Sequence, residues 1–137
     1  MLTEIQDALI EKLKEIEAVK LVDAWLGEEE ELLTQPARVP ALYVVYEGTT
    51  FEPKGVIGAN LVDSGLSYGI ILVNKNLQSR RKCSEDCNTI IEAVRAKLIG
   101  YEILTYGWAW PVSEELISAE AGSLMYGLRY NVHLKKQ

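Results

Sequence analysis

The segment Ser123–Leu134, SLMYGLRYNVHL, alternates without a break. Leu124, Tyr126, Leu128, Tyr130, Val132 and Leu134 fall on one side, and Met125, Gly127, Arg129, Asn131 and His133 on the other. A period of two belongs to the strand alone, so this segment predicts a long antiparallel strand with one buried face. Such a strand needs neighbours with matching apolar faces. Gly65–Asn74 (GLSYGIILVN) supplies one, ending in an apolar run that reads as covered on both faces. Ala41–Glu47 (ALYVVYE) supplies a second, rich in the residues that favour a pleated surface. Val19–Trp25 is a third, with imperfect alternation. Tyr106–Val112 (YGWAWPV) is a fourth; it puts Trp108 and Trp110 on one face, and Pro111, lacking an N–H, marks an edge or a bulge.

Two helices cover this sheet. Thr3–Glu17 carries an apolar stripe of Ile5, Ala8, Leu9, Leu13 and Ile16, with Thr3 and Gln6 matching a capping box. Ser84–Leu98 places Cys87, Ile90, Ile91, Val94 and Leu98 on one face; Ser84 suits the cap and Gly100 the stop. The resulting order, α-β-β-β-α-β-β, predicts an α+β fold. Its sheet is mixed and mainly antiparallel, of about five strands, with both helices on one face. The 137 residues are expected to form one domain, 1–137. Between the elements lie an acidic run, Glu28–Glu31, a proline-bearing connector, Gln35–Pro40, and a basic turn, Gln78–Cys83, holding Arg80, Arg81 and Lys82. Gly48–Leu61 reads as a long loop or an open hairpin, and Glu114–Ala121 as turn-like, with room for a short strand.

The chemistry-bearing residues do not assemble into a catalytic set. His133 is the only histidine. It sits on the polar side of the last strand, and no nucleophile elbow of the GxSxG type accompanies it. Cys83, Cys87 and His133 fall short of the four clustered ligands of a structural zinc site. The glycines near Gly48 form neither a phosphate loop nor a dinucleotide fingerprint. No catalytic, cofactor or metal residue is therefore assigned. A formal charge of −6 argues against a nucleic-acid binder. Two cysteines give no disulfide framework, no apolar run approaches the roughly 18 residues of a membrane span, and the start lacks a leader pattern. Residence in the cytoplasm is expected. Trp108 and Trp110 suit a stacking platform for a ligand, or else sheet packing or a subunit contact, and packing or contact is the commoner use.

Several stretches carry a resemblance. The opening TEIQDALIEKLK, the segment PARVPALYVVYEG, the unit IILVNKNLQSRRKCSEDCNTIIEAVRAKLIG and the closing SLMYGLRYNVHL are together similar to the small tail proteins of Mu-like phages and prophages. That family comprises tail terminator or tail completion proteins. The central loop Glu47–Leu61 departs from the pattern. The resemblance implies a structural protein that closes into a ring, commonly a hexamer, on the tail tube and meets the head connector. DNA would pass through the lumen as cargo, and no membrane is involved. It further implies assembly in the bacterial host's cytoplasm and residence in the virion tail. The interface residues expected on this reading are Phe51, Lys54 and Val56 in the loop, Arg80 and Arg81 in the basic turn, and Trp108 and Trp110.

Overall fold

The structure, a computed structural model, describes residues 1–25, 38–53, 62–120 and 122–134; of 52–53 and 62–64 it describes only the backbone. Helix α1 spans Leu2–Leu13. The capping box does not form: Met1 occupies the cap position without a side-chain bond, and Gln6 Nε2 instead donates to the carbonyl of Val44 at 2.8 Å. The helix stops four residues short of Glu17 because the chain turns there toward the sheet. Glu15 and Ile16 donate to the carbonyls of Lys12 and Leu13, a tightened turn that still buries Ile16.

Strand β1, Leu21–Ala24, runs parallel to β2, Ala41–Pro53. Strand β2 pairs with β3, Val62–Lys75, from Ala41↔Val73 out to Pro53↔Val62, with the ladder shifting register between Tyr46 and Gly48. The open hairpin is thus the correct form of the segment beginning at Gly48. Its residues 54–61, including Lys54 and Val56, lie outside the described residues, as does the acidic run Glu28–Glu31.

Helix α2 spans Arg80–Leu98, so it begins before Ser84. Ser79 is the cap: its Oγ accepts from the backbone N–H of Lys82 at 3.1 Å. Asn76 prepares that start. Its Oδ1 accepts from the N–H groups of Gln78 and Ser79, and its own N–H donates to the carbonyl of Gly122. One side chain therefore sets the entry to the helix and ties it to the last hairpin. The expected basic turn is the first helical turn, with Arg81 and Lys82 paired to Glu85 and Asp86 four residues on.

A two-residue strand, β4 (Glu102–Ile103), brings the sheet to six. Strand β5, Gly107–Glu120, absorbs the segment from Glu114 that reads as a turn, and β6 is Ser123–Leu134. The order across the sheet is β1-β2-β3-β6-β5-β4, antiparallel except between β1 and β2. Pro111 does sit at a break in register, between Pro111 and Ser113, and a second break falls between Leu116 and Ser118.

Both helices pack on one face. Ile5, Leu9 and Leu13 of α1 and Cys87, Ile90, Val94 and Leu98 of α2 share a buried cluster with Leu42, Val44, Tyr68, Ile70, Leu128, Tyr130 and Val132. No described helix covers the opposite face. At one end it holds a smaller cluster, Ala41, Tyr43, Val73 and Met125, with Leu21, Trp25 and Ile71 against it. Met125, on the side expected to be polar, is thereby fully buried.

The core makes three predictions. Ser79→Ala should lower stability by about 1 kcal/mol in denaturant titration, the usual loss for a cap. Tyr68 donates its hydroxyl to the carbonyl of Leu2 at 2.9 Å, whereas the buried hydroxyl of Tyr130 finds no partner among the described residues. Tyr68→Phe should thus cost about 1 kcal/mol and Tyr130→Phe nothing, because only the first loses a bond. Burial pushes both phenols, and the Cys87 thiol, up to about 12. These groups stay protonated in the folded chain after the unfolded chain would release its protons. Stability should therefore be full below the ordinary thiol and phenol range and fall as pH climbs through it toward 12, with thiol reagents reaching Cys83 and Cys87 only on unfolding.

Candidate assembly interface

The face opposite the two described helices is built in rows that the strand register dictates. One row runs Thr50–Gly65–His133–Trp108, and the next runs Gly48–Ser67–Asn131–Trp110. Trp108 and Trp110 therefore stand side by side on β5, 44% and 54% exposed, next to His133 and Asn131 and beyond them the small residues of β3. A side-chain carbon built on Gly65 would meet nothing within 4 Å among the described residues, so the row is open above β3. Gly107 makes the placement of the indoles possible. Any side chain there would run into the carbonyl of His133, and only glycine lets β5 start this close to the end of β6.

The following row is electrostatic. Arg129 on β6 donates Nε and a terminal nitrogen to the two carboxylate oxygens of Glu47 on β2, at 3.0 and 3.1 Å. The pair reaches across β3 because Gly69 lies beneath it: a carbon there would press to 3.1 Å of the Glu47 carboxyl. The carboxylate raises the Arg129 guanidinium above its ordinary range. A second forked pair joins Arg95 of α2 to Glu114 of β5 on the other face. Both pairs are partly exposed and contribute orientation more than energy.

The expected interface residues separate into two groups. Trp108, Trp110 and the 65% exposed Phe51 lie toward one pole of the sheet, where β2 and β3 run on past the last β6 partner, Gly65↔His133. Arg80 and Arg81 lie at the opposite pole, on the helix that follows β3. The sequence reading ends this strand at Val112, names only its two tryptophans as interface candidates, and does not carry the strand on to Glu120. Val112, Leu116 and Ile117 are also exposed, at 52%, 50% and 42%. Their acidic setting, VSEELISAE, hides the strand that displays them. Cys83 and Cys87 are buried on α2, whereas His133 is exposed on the side of β6 away from the described helices, at the other pole, so the three do not converge. Among the described residues no cluster of three or more metal-ligating side chains forms, and no helix is long and apolar enough to cross a membrane.

Comparison with curated protein sequences returns no match. A solved structure described as the virion of a native gene transfer agent particle contains a chain that aligns with a TM-score of 0.61. The alignment covers 96% of this chain and 94% of that one at 13% identity, which shows a shared fold. A family model described as phage tail terminator protein matches residues 5–136. That match is to the family at large, and the narrower Mu-like assignment rests on the sequence resemblance alone. A match over nearly the whole chain, on a fold shared with a virion component, decides the assignment: the chain belongs to the phage tail terminator family, whose members are structural tail proteins.

Proposed function

We propose that the chain, acting as one domain over residues 1–137, closes into a ring that caps the tail tube and offers a surface to the head connector. Six copies would match the symmetry commonly seen in the tails that the sequence resembles. One observation carries this reading: among the described residues, five of the eleven exposed large apolar side chains belong to β5 alone. Solvent-facing apolar side chains gathered in this way mark interaction surfaces. The outer edge of the same strand is paired only near its start. Strand β4 and the turn before it reach Gly107, Trp108 and Ala109, and no described strand continues beyond. An open strand edge beside exposed tryptophans suits a contact with another protein chain.

A contact between two different patches closes into a ring when its rotation matches the tube's, and otherwise extends as a filament. The formal charge of −6 fits a lumen through which DNA passes as cargo without being held. Assembly would take place in the host cytoplasm before the ring joins the virion tail.

A competing use of the same indoles is a small binding module, with a flat ligand stacked on Trp108 and Trp110 beside His133 and Asn131. Sedimentation over a concentration series, with and without isolated tail tubes, separates the two. The ring reading expects higher-order particles at high concentration or on tubes. Replacing both tryptophans by serine should weaken association about tenfold or more with little change in melting temperature, since both side chains are solvent-facing. A strict monomer that caps tubes would overturn the ring, and a stabilising small ligand found in a thermal-shift screen of that monomer would favour the module.

A further inference from the structure

An exposed knob and an open groove lie near opposite ends of α2. Leu77, between β3 and α2, is the most exposed large apolar side chain among the described residues, at 88%. It leans on the last hairpin, since a carbon built on Gly122 would come within 2.9 Å of its Cδ2. Arg80, three residues on at the start of α2, is exposed as well. Arg81 and Lys82 are paired to Glu85 and Asp86, whereas Arg80 holds no ion pair among the described residues. Helix α2 then runs for 19 residues, roughly 28 Å. Beyond its far end a groove of about 630 Å³ opens between α1 and the turns flanking β4. Ala8, Tyr101 and Leu104 give the groove apolar surface, and four carboxylates line it against one ammonium, Lys12. Lys12 is already engaged by Glu15 at 3.6 Å and by the face of Tyr101. The Asp7 carboxylate, by contrast, holds no partner among the described residues. Leu104 stands at φ 53, a left-handed conformation that a bulky side chain adopts only at a cost, and it is 52% exposed. Strain that displays an apolar side chain beside a groove points to use of that groove.

We propose that Leu77 of one copy seats in the α1–β4 groove of a second copy, with Arg80 facing the second copy's Asp7. The occupant is argued from complementarity of both kinds. Leu77 brings apolar surface to Ala8, Tyr101 and Leu104, and water leaves both sides. Arg80 brings a cation without a pair to a groove of net negative charge that holds a carboxylate without a pair. Asp7 and Ala8 adjoin on α1, so one approach makes both contacts. Knob and groove are different surfaces of one chain, so a single contact of this kind is head-to-tail and propagates. It rests on the ring reading and names a contact that would propagate the ring.

Sedimentation of variants of the full chain tests it. Leu77→Ser, Arg80→Glu and Asp7→Arg should each weaken self-association about tenfold or more. Melting temperature should hardly move, because all three side chains are exposed and a glutamate in the first turn of α2 suits the helix dipole. The double variant D7R/R80E, which restores opposite charges across the contact, should recover most of the wild-type association. Leu104→Gly should weaken association while keeping or raising the melting temperature, since glycine takes the left-handed region without strain. Normal association in the Leu77, Arg80 and Asp7 single variants would overturn this contact while leaving the ring intact. So would a double variant no better than its parents. Variants that self-associate normally but no longer bind tail tubes would assign these surfaces to the tube protein instead, against this proposal. A wild-type chain that never associates, alone or on tubes, would overturn the ring reading first and this contact with it.

Discussion

Eleven consecutive pairs between β3 and β6, from Gly65↔His133 to Lys75↔Ser123, hold the molecule together. Strands β1 and β2 reach the rest of the sheet only through β3, and β5 and β4 only through β6. The seam also builds the core, because Tyr68↔Tyr130, Ile70↔Leu128 and Leu72↔Tyr126 place their side chains under the two helices. Its partners are far apart in the chain. Closing that loop costs entropy before any contact rewards it, so this pairing is the slow, non-local event of folding. Helix α2 lowers the cost by lying between the two strands in sequence and packing against both.

What the sequence made legible was whatever burial dictates. The period of two in Ser123–Leu134 and the apolar run of Gly65–Asn74 appear as strands because one or both of their faces are buried. The stripe of α2 is visible for the same reason. The start of α2 was not legible. Two serines compete for the cap, and Arg80, Arg81 and Lys82 at a helix N-terminus oppose the macrodipole, which favours Ser84 locally. Asn76 decides the matter through two backbone bonds and a third to Gly122, and that third bond exists only once the last hairpin is in place. The second half of β5 was hidden similarly. Its residues from Glu114 to Glu120 have the composition of a solvated turn, and only pairing with β6 makes them a strand.

The exposed apolar surface of β5 was legible in type and incomplete in extent. Two tryptophans one residue apart on a strand announce a shared face, and the register confirms that they neighbour His133 and Asn131. Neither their distance from Arg80 and Arg81 nor the company of Val112, Leu116 and Ile117 can be read from spacing, because both depend on how far β5 runs. The Glu47–Arg129 pair was equally hidden. It joins residues 82 apart, and it exists because Gly69 leaves the intervening strand bare. A glycine in a strand is usually a weakness; here the missing side chain is a bridge bed for two charges.

The free edge of β5 is interrupted by Pro111 and by two breaks in register only a few residues apart. A regular strand laid along it would meet a missing donor and then lose step twice, so the edge cannot be copied by an unlimited stack of identical strands. The apolar side chains that invite a partner are thus mounted on a backbone that refuses a template. Such an edge disfavours fibril-like stacking, and leaves side-chain fit, rather than backbone zippering, to decide which neighbour could be accepted there.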